Sequence, residues 1–252
     1  MIYVGSRLFA AGCIYQKVLK EKVSLALNNN LSHLEQVDDI ELENNPHKWN
    51  ESWRRPLSGK YTHHILLFRH GEYEQTGKLR HLSCLGKDQA KCMGQEVRRI
   101  LSGFGQNFKL KVYSSTVLTA METYMEAKTS IGFKLGPPEF REDLRENVPH
   151  AFSPSWPGYQ PGEPDNENAE NVFQDIFCEE IKEDTVSLIF GHSNVTRYLF
   201  FRALQLPLDA YMRAMTLHGS ITWLTIEPRG EVFCPRFGEF SFLGTEEITG
   251  SA

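Results

Sequence analysis

The rhythm of apolar and polar positions changes at about residue 61. Before it, residues 28–51 carry Glu35, Asp38, Asp39, Glu41 and Glu43 with few apolar residues between them, which predicts a linker with no core of its own. After it, compact apolar runs alternate with stretches of helical spacing. HHILLF (63–68) predicts a buried strand. Ser83 is placed to cap a helix running to about Leu101, with Ala90, Met93, Val97 and Leu101 along one face. LKVYSS (110–115) predicts a second strand, followed by a helix to about Lys128. VSLIFG (186–191) predicts a third, followed by the helical stretch SNVTRYLFFRAL. SITWLTIE (220–227) and EVFCPRF (231–237), separated by Pro228-Arg229-Gly230, predict a hairpin. SGFGQN has a glycine pair but no third glycine, so it reads as a loop rather than a nucleotide fingerprint. Strands alternating with helices predict an α/β fold over residues 61–252: three αβα layers, with a mainly parallel sheet covered by helices on both faces.

Residues 1–27 follow a different pattern. No acidic residue precedes Glu21, while Arg7, Lys17 and Lys20 are present. The apolar stretch from Leu8 to Tyr15 is shorter than the ~20 residues of a membrane span. The segment reads as a targeting or anchor segment, which would associate the protein with a membrane; a helix packed on the domain is the plainer alternative. Residues 28–60 form the acidic linker, interrupted by Trp49 and Trp53 in WNESW. These tryptophans either staple the linker to the domain or mediate self-association into a homo-oligomer.

Composition narrows the partners. The 252 residues carry a net charge of −5 with no Lys/Arg block, which argues against a nucleic-acid partner. The five cysteines are odd in number, scattered, and form no C-x-x-C pair, so neither a disulfide framework nor a zinc site is indicated. A reducing compartment fits this usage.

Two histidines draw the chemistry together. His70 closes the first apolar run and His192 the third. Ligands of open α/β sheets bind beyond the carboxyl ends of the strands. If these strands are parallel, both imidazoles reach one rim, with Arg69 beside them and Gly71 expected to permit a tight exit. Imidazole can carry a phosphoryl group covalently, and guanidinium grips phosphate oxygens in a planar fork. A second histidine can stabilise the transferring group, and a carboxylic acid can protonate the leaving oxygen. Such chemistry needs no metal and no other cofactor. The bland alternative is a pair of rim histidines with ordinary hydrogen bonds. His63 and His64 stand ahead of the apolar centre of the first strand and would alternate faces. His81, His150 and His218 sit beside predicted loops and are further candidates for the rim, and no histidine has metal-ligand spacing.

LLFRHGEY resembles the nucleophile motif of the histidine phosphatase (phosphoglycerate-mutase-like) superfamily. HLSCLGKDQA resembles the L-T-x-x-G-x-x-Q-A element that follows it, and FGHSNVTRYLFFRALQLP resembles the second-histidine motif. With GSITWLTIEPRGEV and FLGTEEIT behind them, these elements point to the mitochondrial serine/threonine phosphatase branch, over roughly residues 49–250. The resemblance implies that Arg69 binds phosphoryl oxygens, His70 is the nucleophile that becomes phosphohistidine, and His192 stabilises the transition state. DLRENVP (143–149) places Glu146 at the family's general acid.

Two departures stand out. In SSTVLTAMET, Thr119 occupies the place of the family's second phosphate-binding arginine. Losing one such donor typically costs ~10²–10³ in rate. Lys78 and Arg80 are the nearby cations that could substitute. WNESWR keeps Trp49 and Trp53 of the branch's W-D-x-N-W-D assembly motif but neither aspartate. The expectation is a metal-independent protein serine/threonine phosphatase of phosphorylated proteins at the mitochondrion, on its outer membrane if the N-terminus anchors there. The alternative is a weakened or inactive phosphatase fold that binds phosphorylated partners or scaffolds at mitochondria.

Overall fold

The computed structural model describes residues 60–76, 79–105, 107–151 and 165–250. The N-terminal segment, the linker tryptophans Trp49 and Trp53, and Lys78 lie outside the described residues.

The central sheet has six strands in the order β5-β4-β6-β1-β7-β8. Strands β1 (His63–Arg69), β4 (Lys109–Ser115), β5 (Glu139–Arg141) and β6 (Thr185–Gly191) run parallel. Strands β7 (Ile221–Ile226) and β8 (Val232–Glu239) add an antiparallel pair against β1. The predicted Pro228–Gly230 turn closes that hairpin, with Gly230 at φ +91°, where a side chain would be strained. The two short strands β2 (Tyr73–Thr76) and β3 (Leu79–Leu82) form a separate hairpin just after β1.

Helices α1 (Cys84–Gly103) and α2 (Leu118–Ile131) cover one face of the sheet. Helix α3 (Glu167–Val172), prolonged by a π turn through Phe177, and helix α4 (Ser193–Ala203) cover the other. β1 shows why its apolar run is continuous. Leu66 and Phe68 pack with Met93 and Val97 beneath α1, while Ile65 and Leu67 pack with Phe173 and Leu199 on the opposite side. A strand covered on both faces has no polar side to alternate with. This is the expected three-layer α/β arrangement. The Ser83 hydroxyl accepts from the Gly86 N–H at 3.0 Å, fixing the start of α1 where the sequence places it. The far end runs slightly longer than predicted, so Ser102 and Gly103 of SGFGQN belong to the last helical turn. Among the described residues no helix is long and apolar enough to cross a membrane.

Candidate active site

The site forms where β1 and β6 end side by side. In their parallel register Arg69 stands opposite Gly191, so His70 and His192 are the next residues on neighbouring strands. Their ring centroids are 5.2 Å apart. Main-chain bonds grip His70 from both sides: its N–H donates to the Gly191 carbonyl at 3.1 Å, and its carbonyl accepts from Gly219 N–H at 3.2 Å.

The loop after His70 turns for a reason different from the one expected. Gly71 does not have a positive φ. A Cβ there would instead lie 2.4 Å from the Gly86 carbonyl oxygen, and one on Gly86 would lie 1.9 Å from that of Glu72. The two glycines let the loop press directly on the first turn of α1. Gly71 N–H donates to Thr123 Oγ1 at 3.1 Å, and Glu72 N–H donates to Gln89 Oε1 at 2.7 Å.

The His70 ring has one defined proton. Its Nδ1 is 2.8 Å from the Gly71 carbonyl oxygen, which can only accept. The proton therefore sits on Nδ1, and Nε2 carries a free lone pair. Burial is the main reason the ring resists protonation; the Gly71 bond opposes it, Arg69 and Arg80 reinforce it, and the pKa falls to about 4. His192 is held well below its ordinary value by burial and by the neighbouring His70 and Arg69. Its Nε2 meets the Ser115 hydroxyl, at the end of β4, at 3.0 Å.

Arg69 is 3% exposed and well tethered. Its Nη1 donates to the Thr216 carbonyl and its Nη2 to His218 Nε2 at 3.1 Å. Burial lowers its pKa to about 10, which still leaves it charged at neutral pH.

Glu146 arrives from the irregular segment that follows β5. Its Oε1 accepts from Asn194 N–H, in the first turn of α4, at 3.1 Å, and its Oε2 lies 3.9 Å from His192 Nδ1. The side chain is 38% exposed, yet enough protein surrounds the carboxyl for desolvation to dominate, raising its pKa to about 7. The Asn194 bond, Arg69 and Arg197 pull in the opposite direction. Water at the open edge also works against the rise.

Thr119 is buried in the first turn of α2. Its carbonyl accepts from Thr123 Oγ1 at 2.7 Å, the same hydroxyl that receives Gly71 N–H. The turn that lacks the arginine is thus tied to the loop after His70. Arg80 stands 5.3 Å over the Tyr73 ring, whose centroid is 5.4 Å from that of His70. The fold therefore gathers Arg69, His70, Glu146 and His192, ties Thr119 to the loop after His70 through Thr123, and sets Arg80 over Tyr73.

Sequence reasoning undervalued three residues. His218 is a member of the cluster, its ring 5.6 Å from that of His70. Its place follows from the pairing: β7 runs antiparallel to β1, so residues entering β7 lie beside residues leaving β1. Ser115, at the end of β4, follows from the same strand-end logic. Arg197 is buried on α4 and bonds the Ser193 hydroxyl, which meets Thr216 Oγ1 at 2.8 Å. It thereby links to the peptide that holds Arg69. By contrast, His63 lies inside β1 against Ser187, His64 stacks on Phe104, and His81 pairs with Glu122.

No protein-family model matches the chain. Among curated proteins, it is 33% identical over 200 residues to the mitochondrial serine/threonine-protein phosphatase Pgam5 of Drosophila mojavensis, covering 75% of this chain and 68% of that protein. It is 32% identical over 224 residues to the Pgam5 of Drosophila virilis, covering 85% and 75%. Among solved structures, a phosphoglycerate mutase from Plasmodium falciparum matches with a TM-score of 0.51 at 25% identity, covering 75% of this chain and 98% of that one. A mutant phosphoserine phosphatase from Entamoeba histolytica, in complex with phosphoserine, matches with a TM-score of 0.50 at 15% identity over 72% of this chain and 99% of that one, which shows the fold alone. With a third of positions identical across most of both lengths, on a phosphoglycerate-mutase-like fold, the chain belongs to the Pgam5 family of mitochondrial serine/threonine-protein phosphatases.

Proposed function

We propose that this chain is a metal-independent protein serine/threonine phosphatase that works through a phosphohistidine on His70. The observation that carries the reading is the Nδ1–H bond from His70 to the Gly71 carbonyl, which leaves Nε2 unprotonated on a ring 5.2 Å from that of His192. In the first step Nε2 attacks phosphorus. The P–N bond forms as the P–O bond to the serine or threonine breaks, and Glu146 gives its proton to the departing oxygen. Arg69 holds the phosphoryl oxygens, and His192 lies alongside the transferring group. In the second step Glu146, now a carboxylate, takes a proton from water. The hydroxide displaces Nε2 from phosphorus, releasing inorganic phosphate and restoring His70.

Family membership supports phosphorylated proteins as substrates and the mitochondrion as the location. Membrane anchoring through residues 1–27 and self-association through Trp49 and Trp53 are further parts of the proposal. Thr119 favours a second reading, a slow or inactive phosphatase fold that binds phosphorylated partners. One experiment separates the two. Brief reaction with an aryl phosphate followed by alkaline quench and mass spectrometry should find an acid-labile phosphoryl group on His70, absent in His70→Ala. A parent protein that binds phosphate but never carries phosphohistidine would favour the second reading.

A further inference from the structure

Residues 244–249 meet this site through His218 and Gln89. A short 3₁₀ turn, Thr245–Glu247, is closed by the Glu247 carboxylate accepting from Gly244 N–H at 2.7 Å. Thr249 then pairs with His218 twice: its carbonyl accepts from His218 N–H at 3.0 Å, and its Oγ1 lies 3.0 Å from His218 Nδ1. The fully buried Gln89 completes the contact, its Nε2 donating to the Glu247 carbonyl at 2.6 Å and to Thr249 Oγ1 at 2.9 Å.

Donor and acceptor capacities fix the direction of every bond in this chain. Arg69 can only donate, so His218 Nε2, 3.1 Å from Nη2, must accept. His218 is then neutral with its proton on Nδ1, and Nδ1 must donate to Thr249 Oγ1. Gln89 Oε1 accepts from Glu72 N–H, which turns its amide nitrogen toward Thr249. The Thr249 oxygen therefore receives two bonds. Burial, Arg69 and His70 together press the His218 pKa to about 3, consistent with a ring that stays neutral.

We propose that Thr249 is a positioning residue: its hydroxyl oxygen accepts the Nδ1 proton that the Arg69 bond requires of His218, and so secures the tautomer that orients Arg69 toward the phosphoryl group. The opposite tautomer would set an N–H of His218 against an N–H of Arg69, and the guanidinium would have to leave its place. Through Gln89 the same oxygen also supports the backbone just after His70. The inference rests on the phosphate-binding role proposed for Arg69.

The test uses the full chain with Thr249→Val and Thr249→Ser. Inorganic phosphate binding by calorimetry, and long-range ¹H–¹⁵N spectra of the imidazoles, both read the site without requiring turnover. The parent should show His218 as the Nδ1–H tautomer. Thr249→Val should mix the tautomers and weaken phosphate binding about tenfold, the scale of one lost buried hydrogen bond. Thr249→Ser should keep both properties of the parent. Thr249→Val binding phosphate as tightly as the parent, or Thr249→Ser being as weak as Thr249→Val, would overturn the proposal. If Thr249→Val fails to fold, His218→Gln and His218→Leu decide the matter. A glutamine oxygen can accept from Arg69 and leucine cannot, so equal phosphate affinities would refute the link. A parent that binds no phosphate at all would instead remove the reading of Arg69 on which the link depends.

Discussion

Replacing Glu146 by Gln isolates its proton. Gln keeps the shape and a carbonyl to accept from Asn194 N–H, which lies 3.1 Å from Oε1, so the peptide that starts α4 should not move. What it loses is the acid. At pH 7 a carboxyl of ordinary pKa 4.5 carries its proton in roughly one molecule in 300, whereas one raised to about 7 carries it in about half. The site thereby enriches the acid form roughly a hundredfold. For phosphoserine peptides, whose leaving oxygen needs a proton, Glu146→Gln should slow turnover by about 10²–10⁴. For an aryl phosphate, whose leaving group departs as a stable anion, the loss should be roughly tenfold or less. The pH profile sharpens the test. Turnover of phosphoserine peptides needs His70 neutral, above about 4, and Glu146 protonated, below about 7, so the parent rate should fall on both sides of that window. The substrate's second ionisation, near pH ~6, appears in both profiles. Only their difference reports Glu146, and the alkaline limb near 7 should vanish in the variant. Equal slowing of both substrate classes, or an unchanged alkaline limb, would refute the assignment.

Other expectations follow from the same geometry. Thr119→Arg should raise turnover by up to ~10² if the new guanidinium reaches the phosphoryl oxygens, with the gain on kcat; if the parent is already fast and nothing is gained, Arg80→Ala becomes the decisive variant. His70, His192 and His218 are all held neutral in the fold, so the unfolded chain binds more protons below pH 6.5. Their contribution to stability is complete above 6.5 and is lost as pH falls toward 4, at up to about 1.4 kcal/mol per pH unit for each ring. Urea melts at pH 7.5 and 5.5 should show a smaller acid-induced loss in His218→Gln than in the parent. A fusion of residues 1–30 to a fluorescent protein should reach mitochondria; a diffuse cytosolic signal would count against the targeting role.

The parts of the fold legible in the sequence are those whose patterning follows directly from burial. β1 and β6 are covered on both faces, so their runs are almost wholly apolar and their ends, His70 and His192, could be located. Ser83 revealed the start of α1 because a capping hydroxyl leaves a local mark. The hairpin β2–β3 left none: YEQT and LRHL are four-residue strands with no apolar alternation. Glu146 lies in irregular chain after a three-residue strand, so no periodicity points to it and only the family resemblance singled it out. His218 stands out no more than His81 or His150 in the sequence, for another reason. The hairpin is legible, but the place of His218 beside Arg69, 149 residues away, depends on β7 pairing with β1, a contact that neither segment encodes alone.

Desolvation acts in opposite senses on the proposed nucleophile and the proposed acid. β1 lies in the middle of the sheet, so its carboxyl end is walled by β6 on one side and the entry to β7 on the other. Charged forms are disfavoured in such a place whatever their sign. For an imidazole the uncharged form is the base, so burial presses His70 down to about 4 and leaves a lone pair on Nε2. For a carboxyl the uncharged form is the acid, so the same cause raises Glu146 to about 7. Desolvation therefore pushes the two groups in opposite directions, fully for the buried His70 and against the water at the open edge for Glu146, toward the protonation states that the proposed transfer to His70 requires. The fixed positive charge of Arg69 helps hold His70 neutral but opposes the rise at Glu146. A second guanidinium would add to both effects. If the proposed transfer holds, Thr119 costs the site charge on the phosphoryl group and leaves the acid form of Glu146 more available than an arginine there would.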